Sequence, residues 1–143
     1  MGYKGAKETM KKFLMCLAVV LFAGMTFTSC GKKSEADLLL GKWSVTSVDQ
    51  IVAGSVFEKK IEGNEYMYYT FTSDGKYAEE VNVAGEKWSA TGKWVLENGK
   101  QLTLTIGEGH QVDEWFYTIT ELTSSKLTLK GEEGETMYLT KAK

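Results

Sequence analysis

Histidine and clustered carboxylates are the residues in this sequence best suited to catalytic chemistry. The chain has one histidine, His110, within the run GEGHQ at positions 107–111. A general base at this position would need a nucleophile and an orienting acid within hydrogen-bond reach. No serine or cysteine motif accompanies His110, so we interpret it as an exposed turn residue and expect the protein not to be an enzyme.

Metal binding is weakly supported by the same regions. Glu108, His110 and Asp113 offer a single imidazole and flexible carboxylates, which is a poor ligand set for a divalent cation. The acidic run EEGE at 132–135 lacks the alternating carboxylates of a calcium-binding loop. We therefore predict no metal site and no cofactor, and interpret 132–135 as a solvated turn.

Both cysteines lie near the N-terminus. Cys16 falls within an apolar run from Phe13 to about Gly24, which follows a pair of lysines. The run is too short to span a bilayer and is typical of the core of a signal peptide. If this leader is removed, Cys30 has no intramolecular disulfide partner.

The residues around Cys30 indicate lipidation. The sequence FTSC at 27–30 resembles the lipobox of bacterial lipoprotein signals, although phenylalanine replaces the usual leucine. The resemblance implies cleavage before Cys30 and attachment of diacylglycerol to its sulfur. A plain secretory signal with a leftover cysteine is the alternative. We assign 1–29 to the signal peptide, with a possible true start at Met10, 30–38 to the lipidated cysteine and a polar tether, and 39–143 to one folded domain.

Localisation follows from the residues after Cys30. Gly31 stands where an aspartate would retain many lipoproteins in the inner membrane, so the resemblance implies an outer-membrane lipoprotein. Lys32 and Lys33 precede the first acidic residue after Cys30, so they interrupt the acidic signal associated with surface display. We expect the domain to face the periplasm, with surface exposure as the alternative.

Charge composition excludes one large class of partner. The chain has 17 basic residues, all of them lysine, and 19 acidic residues, giving a net charge of −2. Nucleic-acid and phosphate recognition rely heavily on arginine. We therefore expect no nucleic-acid partner.

The elements that would position any site are β-strands. Short alternating runs rich in threonine, valine and aromatic residues recur after position 40, separated by turn residues such as Asn98-Gly99. We predict strands over 41–48, 66–72, 76–83, 87–96, 101–106, 111–122, 126–130 and 135–140, with a short helical turn around 57–61. Such a series favours an all-β fold, a small antiparallel up-and-down β-barrel of about eight strands.

The first strand and the pattern after it resemble a known family. LGKW at 40–43 resembles the Gly-x-Trp motif of lipocalins, and segments such as YTFTSDGKY at 69–77 and GKW at 92–94 are similar to short lipocalin-like lipoproteins of Bacteroidetes. The resemblance spans roughly 39–141 and implies a lipocalin-like barrel. The domain is shorter than a full lipocalin, and the long C-terminal helix has no counterpart.

Alternation assigns faces to the strands. It predicts an interior rich in aromatic residues, which would either fill the barrel or line a ligand pocket; we favour filling, and we interpret Trp43 as a plug of the closed end. Alternation also points Glu79 inward, but burying a carboxylate is costly, so a bulge that turns it outward is the favoured interpretation. The candidate ligand-binding residues are Tyr69, Tyr77, Glu79, Trp88, Trp115 and Tyr117.

These features support two functions. The first is a lipid-anchored envelope protein whose barrel binds a small apolar or amphipathic ligand, or a glycan fragment. The second is a filled barrel that acts as a protein-interaction or inhibitor module of the envelope. A cavity of a few hundred Å³ open at one end would favour the first.

Overall fold

A computed structural model describes residues 32–108 and 111–143. It consists of one short helix followed by nine antiparallel strands. The elements are α1 (Glu35–Leu39), β1 (Gly41–Val52), β2 (Ser55–Lys60), β3 (Tyr66–Phe71), β4 (Lys76–Val83), β5 (Glu86–Glu97), β6 (Gln101–Glu108), β7 (Gln111–Leu122), β8 (Lys126–Gly131) and β9 (Thr136–Lys141). No helix within the described ranges is long and apolar enough to cross a membrane.

Strand β1 closes the sheet into a barrel. Its first residues pair with β3 and the stretch from Trp43 to Asp49 pairs with β9, while β3 to β9 follow one another as hairpins. Strands β1 and β3–β9 therefore form a closed eight-stranded antiparallel barrel, which confirms the predicted fold class. Closure pairs the strand edges that an open sheet would expose.

Strand β2 was not predicted. It pairs with the C-terminal half of β1, from Ser47 to Val52. In the turn that connects the two strands, Ala53 and Gly54 adopt positive φ angles of 51° and 79°. The helical turn predicted around 57–61 is therefore wrong. All six residues of β2 are exposed. Because neither face of β2 is buried, its sequence lacks the apolar–polar alternation by which a strand is recognised.

One end of the barrel is closed by the segment before β1. Trp43 is fully buried, and its indole N–H donates a hydrogen bond of 2.7 Å to the carbonyl of Leu39 in α1. The ammonium of Lys141 lies 4.2 Å from the centre of the Trp43 ring. Trp43 thus plugs the closed end, as the sequence predicted.

Helix α1 occupies part of the predicted tether. Ser34 caps it, since its hydroxyl accepts a hydrogen bond from the amide of Asp37 and the Asp37 carboxylate accepts one from the amide of Ser34. Leu39 at the end of α1 is fully buried. Helix α1 is therefore joined to the core through Leu39.

The core fills the barrel next to α1. Its members are the buried apolar side chains from α1, β1, β3, β4, β6, β7, β8 and β9. They are Leu39, Trp43, Val45, Tyr69, Phe71, Tyr77, Leu102, Leu104, Ile119, Leu127, Leu129, Met137 and Leu139.

Strands β5 and β6 approach each other closely at Gly92 in β5. A Cβ atom at this position would overlap the carbonyl oxygen of Thr105 on β6, so the backbones approach closely only because residue 92 has no side chain. A cleft of about 1200 Å³ lies nearby on the outer face of the sheet, lined by Thr70, Ala78 and Thr91 among others.

Candidate functional site: the open end of the barrel

Two tryptophans mark the end of the barrel opposite α1. Trp88 on β5 pairs with Val81, and Trp115 on β7 pairs with Leu104. Both partners are buried, and residues paired across an antiparallel ladder share one face of the sheet. Trp88 and Trp115 therefore face inward, yet they are 50% and 51% exposed. Their exposure shows that the barrel is open at this end.

Two tyrosines form the floor beneath this opening. Tyr69 on β3 is 7% exposed and Tyr77 on β4 is 2% exposed. Their ring centres are 5.6 Å apart, and Tyr77 also lies 5.6 Å from the ring of Phe71. Tyr69 donates a long hydrogen bond of 3.6 Å to the sulfur of Met137. These aromatic side chains fill the barrel below the open end.

Glu79 lies inside the barrel, and the favoured prediction that a bulge turns it outward is wrong. The ladders of β4 with β3 and β5 run through Glu79 without a register shift, opposite Tyr69 and Ala90. Its carboxylate accepts a hydrogen bond of 2.7 Å from the Tyr77 hydroxyl and one of 3.1 Å from the Trp88 indole. These donors offset the cost of burial that the prediction relied on.

Glu135 is a residue of the open end that the sequence analysis missed. A Cβ atom at Gly131 would overlap the Glu135 carboxylate, so this carboxylate fills the space of the absent side chain. Gly131 pairs with the inward-facing Tyr117. Glu135 was assigned to a solvated turn, whereas only Glu132 and Glu133 of that turn are exposed. A glycine at an inward position of a strand was the available signal, because it indicates close approach of another group.

The tyrosine hydroxyls are held in their neutral form. Burial raises the pKa of Tyr117 to about 12, with further contributions from the charges of Glu135 and Glu79. Burial also raises the pKa of Tyr69 and of Tyr77 well above the ordinary range. All three tyrosines are affected by the charge of Glu79, so these groups form one electrostatic cluster.

The structure brings the sequence-predicted site residues together. All six candidates lie on the inner face of β3, β4, β5 and β7. Their role in binding remains a prediction. Cys30 and His110 lie outside the described residues. Within 32–108 and 111–143, no group of three His, Cys, Asp or Glu residues is arranged to hold a metal ion.

Comparison with known proteins identifies the class. Residues 39–129 match the family model of the lipocalin-like domain, and the chain belongs to this family. Members of this family are generally non-enzymatic binding proteins. No curated protein matches the chain.

Two crystal structures share the fold. One is a lipocalin-like protein from Bacteroides uniformis, with 16% identity and a TM-score of 0.57, covering 73% of this chain and 99% of that one. The other is an uncharacterized protein from Bacteroides eggerthii, with 18% identity, a TM-score of 0.55 and the same coverage.

Proposed function

We propose that this protein is a lipid-anchored envelope lipoprotein whose barrel binds a small apolar or amphipathic ligand, or a glycan fragment, at its open end. The observation that carries the proposal is the pair of inward-facing but half-exposed tryptophans, Trp88 and Trp115. Large aromatic side chains that face inward and stay partly solvated are typical of ligand sites in barrel proteins.

The filled half of the barrel limits how the ligand is bound. Tyr69 and Tyr77 form a floor beneath the open end, so the ligand sits above them rather than within a deep calyx. Such a shallow site covers one face of a ligand, and aromatic stacking supplies much of the binding energy. Tyr117 and Glu79 contribute polar groups at the edge of this floor.

The position of α1 determines how an anchored barrel would be oriented. A lipid on Cys30 lies four residues before Ser34, a span of at most about 14 Å at the usual reach of an extended chain. Because α1 covers the closed end, anchoring at Cys30 holds that end near the bilayer. The open end then faces away from the membrane, where it meets soluble ligands. We place this arrangement on the periplasmic face of the outer membrane.

Native mass spectrometry of the protein purified from its host tests the binding function. We expect a small molecule to accompany the wild type and to be lost in a Trp88→Ala, Trp115→Ala double variant. Phe116→Ala is a matched control, because Phe116 is an exposed aromatic next to Trp115 on the opposite face of β7. Recovery of the same mass with the double variant would contradict binding at the open end.

A second function is favoured by the tip of the β1–β2 hairpin. Four apolar side chains are more than half exposed there, namely Ile51, Val52, Val56 and Phe57. Apolar residues clustered on a protruding hairpin suit contact with another protein. An envelope protein that co-purifies with the wild type and is lost on Val56→Ser and Phe57→Ser substitution, with no small molecule present, would favour this function.

A further inference from the structure

One carboxylate oxygen at the open end is buried without a partner. Oε2 of Glu135 has no hydrogen-bond partner among the described residues. The Glu79 carboxylate, by contrast, accepts hydrogen bonds from Tyr77 and Trp88. A buried carboxylate oxygen without a donor is costly, and a bound donor would offset that cost.

A buried hydroxyl at the floor, that of Tyr69, has the Met137 sulfur and Tyr77 as its neighbours in the barrel. Tyr69 is 7% exposed, and its O–H has the Met137 sulfur as its hydrogen-bond partner, at 3.6 Å. Thioether sulfur is a weak acceptor. The unpartnered oxygen of Glu135 is thus the group at the open end that a bound donor would satisfy.

The charges on the inner face are predominantly negative. Glu86 and Asp113 share this face with Glu79, since they pair with the inward positions Val83 and Ile106. Two lysines of the described residues share this face: Lys59, whose ammonium lies 3.2 Å from the Glu65 carboxylate, and Lys141, whose ammonium covers Trp43 at the closed end. An inner face with this charge balance attracts cations.

Tryptophan rings complete a set of groups that favours a cation. The Trp88 indole N–H is already used by Glu79, so its ring remains as a surface for contact. A cation is attracted to the face of a tryptophan ring, more strongly where water is partly excluded. Carboxylates and aromatic faces together form the usual environment of a bound ammonium group.

We propose that the ligand of the open end is an organic amine, whose protonated nitrogen is bound by Glu135 and Glu79 and whose apolar part lies against Trp88 and Trp115. This inference rests on the proposed binding function and specifies the chemistry of the ligand. A neutral glycan would use the same carboxylates as hydrogen-bond acceptors, but it would not gain from the excess negative charge.

Calorimetric titration with three probes of similar shape tests the inference. The probes are 2-phenylethylamine, 2-phenylethanol and 3-phenylpropanoate, which differ mainly in the charge of the polar group. We expect the amine to bind at least about tenfold more tightly than the alcohol, and the carboxylate more weakly than either. A neutral trisaccharide that binds more tightly than the amine would instead indicate a glycan site.

Single substitutions identify the carboxylates that favour the amine over the alcohol. We expect Glu135→Gln and Glu79→Gln each to weaken binding of the amine by a larger factor than binding of the alcohol, so that the amine-to-alcohol affinity ratio falls several-fold. Glu133→Gln is the matched control, because Glu133 is an exposed carboxylate in the same turn as Glu135.

The outcomes separate this inference from the proposed function. Equal binding of amine and alcohol to the wild type would overturn the amine inference and leave the binding function intact. Binding of none of the probes would also overturn it, and the binding function is then judged by the small molecule that co-purifies with the protein.

Discussion

Trp43 shows how one residue joins two elements of this fold. Its ring is enclosed by the barrel, its N–H binds the Leu39 carbonyl, and the Lys141 ammonium covers its face. At the other end of the barrel, Trp88 has the same residue type but is half exposed, with its N–H bound to a carboxylate. The same side chain thus serves the core in one place and an accessible surface in the other.

Substitution of Trp43 tests its role as the plug. We expect Trp43→Ala to lower the free energy of unfolding by about 3–5 kcal/mol, the usual loss when a buried large aromatic residue is removed. Trp43→Phe should cost less, because it keeps part of the buried area. Urea denaturation measures both, and a loss below about 1 kcal/mol for Trp43→Ala would mean that the residue is not in the core.

Tyr117 makes stability depend on alkaline pH. An unfolded tyrosine loses its proton near pH 10, whereas burial and the Glu135 charge raise the pKa of folded Tyr117 to about 12. The folded state therefore holds the proton more tightly, and the free energy of unfolding should fall as pH rises from about 10 to 12. The raised pKa values of Tyr69 and Tyr77 act in the same direction.

The pH effect is measured by urea denaturation between about pH 8 and 11. We expect Tyr117→Phe to make the decline above about pH 10 shallower than in the wild type, because one titrating group has been removed. Glu135→Gln should also make the decline shallower, because it removes the neighbouring charge that helps to raise the pKa of Tyr117. A decline in Tyr117→Phe identical to that of the wild type would contradict the assignment.

At the scale of elements, the alternation of apolar and polar residues was sufficient to locate a strand wherever one face of that strand is buried. It located β3 to β9 because each of these strands places apolar side chains in the core or, for β5, packs them against it. It missed β2, which has no buried face, and α1, whose single buried residue Leu39 gives no helical period. Alternation also pointed the Trp88 side chain inward correctly. It could not predict that Trp88 is half exposed, because exposure along β5 depends on packing between strands and not on local sequence.

The close approach of β5 and β6 at Gly92 is an element-scale feature that substitution can test. We expect Gly92→Ala to destabilise the protein by at least about 2 kcal/mol, because the added Cβ would overlap the Thr105 carbonyl and force the strands apart. Thr91→Ala, one residue earlier and on the outward face, should cost less than about 1 kcal/mol. Equal stability of the two variants in thermal or chemical unfolding would show that β5 and β6 are not so close.

At the scale of the whole molecule, the site depends on contacts that local sequence does not reveal. Glu135 reaches the interior because Gly131 leaves space opposite Tyr117, and this relation appears only once β7, β8 and β9 are assembled. The carboxylate of Glu79 is tolerated inside because Tyr77 and Trp88 donate to it. The barrel was therefore predictable from its periodicity, whereas the charges at its open end were not.

Membrane attachment is a property of the whole chain that the proposed lipidation predicts. We expect Cys30→Ala to move the protein from the detergent phase to the aqueous phase on phase separation, since the acyl chains supply the anchor. The barrel should remain folded, with an unchanged β-type circular dichroism spectrum. Equal partitioning of wild type and variant would contradict lipidation at Cys30.

The most direct test of ligand binding at the open end uses the four tryptophans as reporters. The indole N–H signals of the ¹⁵N-labelled protein are followed by NMR while a small-molecule extract of the host envelope is added. Trp88 and Trp115 face the open end, whereas Trp43 is buried beside α1 and the Trp94 N–H is bound to the Thr72 carbonyl. We predict that the signals of Trp88 and Trp115 shift and those of Trp43 and Trp94 do not; unchanged signals from Trp88 and Trp115 would contradict the account.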